Sequence, residues 1–416
     1  MKLNFKKTLA VFICAALAAA SVSCGSSDDS SSASSSSTSS ESTTSMSYYD
    51  PPMDIDYETD GTAKVSVDGT EFVVGGETLW INGVNTPWDQ WNDFGGNFNY
   101  AFWDLHFQEL EDTGINATRI WINCSSMVGV ILNEDGSFNS VTDSHWQDLD
   151  VLFTIAKKHG IYIMATLLSF DHFKDENDYY DYWRSMITDS DNIGSFVEGY
   201  VVPFVERYDS CDYLWSVDLM NEPDWVYENE ECGQIGWENI SNYFARAAAA
   251  IHENSDVLVT VGFGVVKYNS DSYEGNYGSD EYLQSLSGNE NSYLDFYSTH
   301  FYNWELPYYG LPYIGSPTDF LLDGTKPCVI GECAAYDYTE SGITLESKYE
   351  DAYNNGWNGV MAWTSNGVDD RGNLENIEPA AAKILELAES EVYPLGRSSD
   401  DESEESDDTD EAEDAS

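Results

Sequence analysis

The chain has 416 residues, 42% hydrophobic and 14% aromatic, which is enough to build a core and excludes a wholly disordered protein. Its 17 Lys and Arg residues stand against 75 Asp and Glu residues, giving a formal net charge of -58. Such an acidic chain repels nucleic acid and anionic membrane surfaces, so we expect neither as a direct partner. The aromatic excess favours a neutral ligand with flat apolar faces, such as a sugar chain.

The first 24 residues have the features of an export signal. Three lysines precede the apolar stretch Thr8 to Ala20, which is too short to span a bilayer of about 30 Å. Two small residues then precede Cys24, as in a bacterial lipobox, with Cys24 as the lipidated residue. Ser21 stands where a lipobox usually has Leu, so ordinary signal cleavage is the alternative. We expect a lipid anchor at the outer face of a bacterial membrane.

Composition separates the rest of the chain into three parts. Residues 25–47 are almost entirely Ser, Thr and Asp, which predicts a disordered linker. Residues 396–416 form an acidic tail, predicted to be disordered as well. Residues 48–395 hold the apolar and aromatic residues and are the predicted folded domain, which we expect to be monomeric. Its five cysteines cannot all pair, so at least one is a free thiol.

The domain begins with alternating apolar and polar residues over 63–74, which predict a β-hairpin around Asp68-Gly69. Eight short apolar runs then predict buried strands: Thr78–Val84, Ala117–Ile122, Ile161–Leu168, Tyr213–Met220, Val257–Phe263, Leu294–His300, Cys328–Ile330 and Gly359–Trp363. Amphipathic stretches predict helices: Phe102–Thr113, Trp146–His159, Trp237–Glu253, Tyr349–Asn355 and Ala380–Ala388. Buried strands alternating with helices predict an α/β fold, a (β/α)8 TIM barrel with an N-terminal hairpin.

Polar and aromatic residues stand where these strands end, which is where barrels carry their active sites. The motif Asn221-Glu222-Pro223 follows strand four, and Gly331-Glu332 follows strand seven. Two carboxylates at one barrel mouth suit cleavage of a glycosidic bond, because one protonates the leaving oxygen while the other attacks the sugar carbon. Further candidates end or lie within the other strands: Arg119 in strand two, His300 and Tyr302 at strand six, and Trp363 at strand eight.

With these residues the chain resembles glycoside hydrolase family 5, the retaining (β/α)8 glycosidases, over roughly Val65 to Leu387. The resemblance implies that Glu222 is the general acid/base and Glu332 the nucleophile, with no metal or organic cofactor. It also implies substrate-binding roles for a further set: Arg119, Asn221, His300, Tyr302 and Trp363. The family often has a His after strand three; here either His172, which stands late, or Asp171 fills that role.

Aromatic residues stand just after several predicted strands, where their rings can stack on pyranose faces: Trp88, Trp91, Trp225, Trp304 and Tyr336. Each one is as consistent with packing as with binding, but we expect at least two of the five to bind sugar. Trp88 and Trp304 are our candidates.

The main hypothesis is an exported, lipid-anchored, retaining glycosidase that cleaves internal β-1,4 linkages of a polysaccharide. The Trp-rich loop from Trp88 to Phe98 differs from typical cellulase patterns, which favours mannan or glucomannan slightly over cellulose-type glucans. A non-catalytic sugar-binding lipoprotein is the alternative, although such a protein gains nothing from two facing carboxylates. Transfer of the glycosyl group to another sugar is a third possibility.

Overall fold

The computed structural model describes residues 53–337 and 342–397. The predicted export signal with Cys24, the linker 25–47 and nearly all of the tail 396–416 lie outside the described residues, so those predictions stay predictions. Among the helices of the described part, none is both long and apolar enough to cross a membrane. The five cysteines at 124, 211, 232, 328 and 333 are all buried free thiols.

Short strands and longer helices alternate along the described residues. The strands are β1 (Val65–Asp68), β2 (Glu71–Val74), β3 (Glu77–Leu79), β4 (Ile81–Asn85), β5 (Ala117–Trp121), β6 (Val130–Leu132), β7 (Phe138–Val141), β8 (Tyr162–Thr166), β9 (Leu214–Asn221), β10 (Leu258–Phe263), β11 (Asn269–Ser270), β12 (Gly275–Asn276), β13 (Tyr297–Phe301), β14 (Cys328–Ala334) and β15 (Gly359–Trp363). The helices are α1 (Tyr100–Thr113), α2 (Asp143–His159), α3 (Tyr180–Thr188), α4 (Ser190–Phe196), α5 (Val202–Tyr208), α6 (Pro223–Glu228), α7 (Trp237–Asn254), α8 (Asp280–Ser287), α9 (Leu306–Tyr309), α10 (Leu345–Asn354) and α11 (Leu374–Val392).

Eight of the strands close into a barrel in chain order: β4, β5, β8, β9, β10, β13, β14 and β15. Every neighbouring pair is parallel, and β15 pairs with β4 to complete the circle. The barrel strands are buried along their whole length, as expected of a parallel sheet covered by helices. The predicted (β/α)8 barrel is therefore confirmed, and every predicted strand overlaps an observed one.

The first predicted strand, 78–84, is two strands separated by Trp80. β3 completes an antiparallel sheet with the predicted hairpin, β1 and β2, while β4 opens the barrel. Trp80 is buried, and its backbone N–H donates to the carbonyl of Glu391 in α11. A tertiary contact thus divides a run that is continuous in hydrophobicity, which a sequence pattern alone does not reveal.

An aromatic cluster closes the N-terminal end of the barrel. Phe72 of β2 packs edge-on against Trp215 and Phe296, with ring centroids 5.2 and 5.1 Å away. Trp215 and Phe296 stack on each other at 5.1 Å, and all three are almost fully buried. These rings exclude water from the ends where the strands begin, so the polar residues at the opposite ends are those that can meet a ligand.

Candidate active site

Glu222 lies at a strained turn between β9 and α6. The strand ends at Asn221, and Glu222 adopts the left-handed backbone region with φ 47° and ψ 57°. Pro223 begins α6, where its missing N–H costs no helical hydrogen bond. The Glu222 N–H donates to the carbonyl of Gly262 at 2.7 Å. A left-handed backbone costs a non-glycine residue about 1–2 kcal/mol, and such strain is common at functional sites.

Glu332 lies within β14, and both oxygens of its carboxylate are held. Oε1 accepts a hydrogen bond from Arg119 Nη1 at 2.6 Å, and Oε2 accepts one from the Tyr302 hydroxyl at 2.7 Å. The side chain is only 5% exposed. A guanidinium and a hydroxyl that both donate to one carboxylate stabilise its ionised form.

Arg119 on β5 is fully buried and joins several strands through its guanidinium. Nε and Nη2 donate to Asp218 Oδ2 at 3.0 and 2.7 Å. Nη2 also donates to Asn221 Oδ1 at 2.8 Å, and Nη1 to Asn85 Oδ1 at 3.2 Å. The guanidinium carbon lies 4.3 Å from the ring centroid of Trp121. These partners fix the guanidinium in the orientation that meets Glu332.

His300 on β13 lies between the two carboxylates. Its Nδ1 is 3.0 Å from Glu222 Oε1 and 3.5 Å from Glu332 Oε1. Burial lowers the pKa of His300 to about 4, so the imidazole is neutral at neutral pH. Glu222 therefore faces a neutral ring, whereas Glu332 faces a permanent cation.

The two carboxyl groups differ accordingly in how they ionise. Burial raises the pKa of Glu222 to about 7, and the more distant Arg119 only partly opposes this. Burial also raises the pKa of Glu332, while the charge of Arg119 and the Tyr302 hydrogen bond oppose that rise. Of the two carboxyl groups, only Glu332 contacts the guanidinium. Glu332 is therefore suited to stay charged, and Glu222 is suited to carry a proton.

The separation of the two carboxylates is short. One oxygen of Glu222, one oxygen of Glu332 and a nitrogen of His300 all lie within 4.8 Å of one another. Retaining glycosidases hold their two carboxyl groups about 5–5.5 Å apart, whereas inverting ones leave about 6.5–9.5 Å for a water molecule. These three side chains also form the one cluster within the described residues whose spacing could bind a metal ion.

The predicted floor residue, Trp363, ends β15 and belongs to an aromatic cluster. Its ring lies 5.3 Å from Trp121 and 6.2 Å from Trp88, both edge to face. Trp88 also contacts Trp91 at 4.8 Å, and Tyr302 packs against the same cluster. The structure thus brings Trp88 and Trp363 together beside the residue that hydrogen-bonds Glu332.

The other predicted aromatic residues lie on the surface. Trp304 follows β13 and is 52% exposed, while Trp225 in α6 and Tyr336 after β14 are 36% and 38% exposed. Trp225 packs against Phe170, with ring centroids 6.4 Å apart. The exposed ring of Trp304, which follows a barrel strand, presents an apolar face on which a ligand can stack.

His172, predicted near the substrate, is instead buried in a short turn after β8. Its Nδ1 is 3.1 Å from the backbone of Ser169, and its Nε2 is 3.4 Å from Asn123 Nδ2. Its ring packs edge-on against Trp183 at 4.6 Å. The contacts described for His172 do not include either carboxylate, because the side chain caps its own turn. The alternative, Asp171, lies close enough that its charge raises the pKa of Glu222.

Asn85, Trp121 and Asp218 belong to the site but are not among the sequence candidates. Asp218 gives the clearest signal, because it is an acid inside the otherwise apolar strand predicted over 213–220. A buried carboxylate requires a buried partner, and Arg119 is the base within another predicted barrel strand. Asn85 and Trp121 carry no such signal, since their roles depend on which strands become neighbours.

Known proteins that are similar to this chain include mannan-cleaving enzymes. No protein-family model matches the chain. A mannan endo-1,4-beta-mannosidase from Mytilus edulis is 26% identical over 345 residues, which cover 76% of this chain and 92% of the relative. The X-ray structure of beta-mannanase from that mussel superposes with a TM-score of 0.68 at 22% identity, covering 78% of this chain and 96% of its own.

A glycoside hydrolase family 5 mannosidase from Rhizomucor miehei shares the fold, with a TM-score of 0.51, 14% identity and coverage of 80% of this chain and 100% of its own. The expected resemblance to family 5 is confirmed. The chain is accordingly a glycosidase that hydrolyses O-glycosyl bonds, as predicted from its paired carboxylates.

Proposed function

We propose that the chain is a retaining endo-β-1,4-mannanase in which Glu332 is the nucleophile and Glu222 the general acid/base. The observation that carries the proposal is the unequal surroundings of two close carboxylates. Glu332 accepts hydrogen bonds from Arg119 and Tyr302, whereas Glu222 lies against the neutral imidazole of His300. A double-displacement reaction needs one ionised carboxylate to attack the sugar carbon and one protonated carboxyl group to protonate the leaving oxygen.

In the first step the Glu332 carboxylate attacks C1 of the sugar, and the C1–O bond to the leaving chain breaks. Glu222 gives its proton to the departing oxygen, so the leaving group is a neutral hydroxyl. The product is a glycosyl ester on Glu332. As negative charge leaves the Glu332 carboxylate, Arg119 and the Tyr302 hydroxyl hold the ester carbonyl in place.

In the second step Glu222, now ionised, takes a proton from a water molecule whose oxygen attacks C1. The ester bond breaks and Glu332 leaves as a carboxylate, so two inversions give net retention. Asn221, which accepts a hydrogen bond from Arg119 beside Glu222, is our proposed ligand for the hydroxyl next to C1. Trp363 and Trp88 form an apolar wall for the sugar ring, and exposed Trp304 offers a second stacking surface.

Mannan or glucomannan is the proposed substrate, and it is internal linkages that are cleaved. The similar proteins are named as endo-1,4-mannosidases, and the similarity to the mussel protein runs through most of both chains. Cellulose-type glucan is the alternative substrate. The non-catalytic sugar-binding lipoprotein remains the alternative class, and transfer to another sugar the alternative reaction.

The test is release of reducing sugar from glucomannan, galactomannan, soluble cellulose, β-1,3-1,4-glucan and xylan. Wild type is run beside Glu332→Ala and a matched control, Glu378→Gln, which changes an exposed acid of α11. We expect mannan hydrolysis by wild type and by the control only. If the protein bound a glycan but released no sugar from any substrate, the enzyme hypothesis would be rejected in favour of the sugar-binding protein.

Added azide separates the roles of the two carboxylates. In Glu332→Ala it can attack C1 directly and give a glycosyl azide of inverted configuration. In Glu222→Ala it can react with the glycosyl ester and give a retained product. The same configuration from both variants would reject the assignment of roles. Chromatography of early products distinguishes endo from exo cleavage and hydrolysis from transfer.

We also propose that the mature protein is a lipoprotein anchored through Cys24, with a disordered linker over 25–47, a catalytic domain over 48–395 and an acidic tail over 396–416. Support comes from the sequence pattern alone. Replacing Cys24 by Ser is expected to release the protein from the membrane fraction, whereas Cys14→Ser, within the signal, leaves it anchored. Release of wild type and of both variants would favour ordinary cleavage, and release of neither variant would favour another form of attachment.

A further inference from the structure

Two more carboxyl groups lie beside Glu222 and take no part in the proposed reaction. Asp224 is in the first turn of α6, and Glu305 is in the short 3-10 turn that follows β13. Glu305 is fully buried and Asp224 is 5% exposed. The charges of Glu222 and Asp224 both act on Glu305, so the three groups are electrostatic neighbours.

Glu305 uses one oxygen to fix the backbone of a site residue. Its Oε1 accepts the Tyr302 N–H at 2.8 Å. The Tyr302 hydroxyl in turn donates to Glu332 at 2.7 Å. Glu305 is therefore one step removed from the proposed nucleophile and acts on it through Tyr302.

Asp224 likewise uses one oxygen to hold a backbone group, in this case one beside Glu222. Its Oδ2 accepts the Gly264 N–H at 2.6 Å. A Cβ atom on Gly264 would lie only 3.2 Å from Glu222 Cγ, so the Glu222 side chain occupies the space that a larger residue at 264 would need. Asp224 thus fixes the surface against which Glu222 packs.

The second oxygen of each carboxyl group is buried without a partner. Within the described residues, Glu305 Oε2 and Asp224 Oδ1 make no hydrogen bond. A carboxylate shares its charge between both oxygens, so a bare buried oxygen is far costlier on an ion than on a neutral acid. Burial raises the pKa of Glu305 to about 9 and that of Asp224 to about 8, above the value of about 7 for Glu222.

We propose that Glu305 and Asp224 are positioning residues that act as neutral carboxylic acids, holding Tyr302 and Gly264 without adding charge beside Glu222. The proposal rests on the proposed function, since it concerns the same reaction. The carbonyl oxygen of a neutral acid accepts an N–H as a carboxylate does. Two further negative charges at this place would make Glu222 hold its proton too tightly to serve as an acid near neutral pH.

The groups that face Glu222 come from several elements, and each affects its ionisation. They are Arg119, Asp171, Lys174, Asp224, His300, Tyr302, Glu305 and Glu332. Of these, Glu305 and Asp224 are the ones whose neutral isosteres keep the backbone acceptor, so their charge and their positioning can be separated by mutation.

The first experiment compares Glu305→Gln with Glu305→Leu. Leu leaves the Tyr302 N–H unpaired, and we expect kcat to fall roughly tenfold to a hundredfold with KM little changed. Gln keeps the acceptor and is expected to restore most of that loss. Asp224→Asn and Asp224→Leu form the parallel pair. Equal losses in the Gln and Leu variants would contradict the positioning role.

The dependence of activity on pH then shows whether Glu305 is ionised. If Glu305 is neutral in wild type, Gln leaves the alkaline midpoint within about 0.3 pH unit of the wild-type value. If Glu305 is ionised, its charge raises the pKa of Glu222, so Gln would move that midpoint to lower pH by about one unit. The second result overturns the proposal.

A carboxyl-carbon NMR titration tests the same point without any substrate. With 13C-labelled Glu, the Glu305 signal is the one missing from Glu305→Gln. We expect it to stay at the protonated position through pH 7 and to titrate near pH 9. Titration with the ordinary glutamates would overturn the proposal, even if the Leu variant does not fold. A protein inactive on all glycans would instead refute the proposed function and leave this titration interpretable.

Discussion

The two ends of the barrel differ in the kind of side chain that they bury. At the closed end, Phe72, Trp215 and Phe296 pack ring against ring and bury no charge. At the open end, Arg119 and Glu332 are buried and balance each other at 2.6 Å. Shape complementarity gives stability at any pH, whereas buried charges need partners and respond to pH. The difference teaches that stability and chemistry can be changed separately in this molecule, except where one residue serves both.

Arg119 is the residue that serves both, so Arg119→Met should have the largest effect. It leaves Asp218 as a buried charge without its cation, which is expected to cost about 3–5 kcal/mol of unfolding free energy. Glu332 loses its cation as well, and kcat/KM is expected to fall on the order of 10³-fold or more. Denaturant melts and glucomannan hydrolysis measure the two losses.

Adding Asp218→Asn to the Arg119 variant sharpens the result. The uncompensated charge is then gone, so part of the stability should return while activity stays low. Recovery of both together would mean that the activity loss merely reflected unfolding.

Phe72→Ala tests the closed end alone. The side chain is fully buried against the edges of Trp215 and Phe296, and its removal leaves a cavity expected to cost about 3–5 kcal/mol. The activity of the molecules that remain folded should be unchanged at 25 °C, because the cluster lies at the end opposite the site. Leu105→Ala, at a position 62% exposed, is the control for an aliphatic truncation. A fall in kcat at full folding would break the separation of the two ends.

The sequence predicts those features of the two ends that a short stretch of residues determines, and it misses those that depend on tertiary contacts. Buried strands are continuous apolar runs, so the strands that carry Glu222 and Glu332 can be located without a structure, although β14 continues past the predicted end at Ile330 to Ala334. The merging of β3 with β4 was wrong because Trp80 is apolar like its neighbours, and only its contact with α11 separates the strands. Asp218 stands out in the sequence as an acid inside an apolar strand, whereas Asn85 becomes meaningful only when its neighbouring strands are known.

His172 shows the same limit at the site itself. A histidine after strand three resembles a family position, but Ser169 caps the turn and Trp183 packs on the imidazole. Both contacts depend on how the loop after β8 folds back, which residue spacing does not encode. The buried acids Asp224 and Glu305 also lack a sequence signal, since their meaning comes from the backbone groups that they contact.

Tyr302→Phe is a smaller change confined to the open end. It removes the hydroxyl that donates to Glu332, and a hydrogen bond to a charged group contributes about 1.5–3 kcal/mol. We expect kcat/KM to fall roughly tenfold to a hundredfold. Because the hydrogen bond lowers the pKa of Glu332, its loss should move the acid limb of the pH profile to higher pH. Tyr308→Phe, at a position 64% exposed, is the matched control, and an unmoved acid limb would contradict the assignment.

The smallest expected effect is on stability, and it concerns Glu222. Burial raises its folded-state pKa from an ordinary 4.5 to about 7. A group with a raised folded pKa contributes stability that is complete below its unfolded pKa and is lost as the pH rises through its folded pKa. Wild type should therefore lose about 1–3 kcal/mol between pH 4.5 and pH 8 through this one carboxyl group.

Glu222→Gln removes that loss because an amide does not ionise. At pH 5 the two proteins should melt at similar temperatures, whereas at pH 8 the inactive variant should be the more stable one. Glu378→Gln, at an exposed position, controls for the general effect of removing one acid from a very acidic chain. If the difference in melting temperature between wild type and Glu222→Gln were the same at both pH values, Glu222 would not be the buried acid that the proposed mechanism requires. The open end would then owe its pH response to other groups, with Asp224 and Glu305 the next to test.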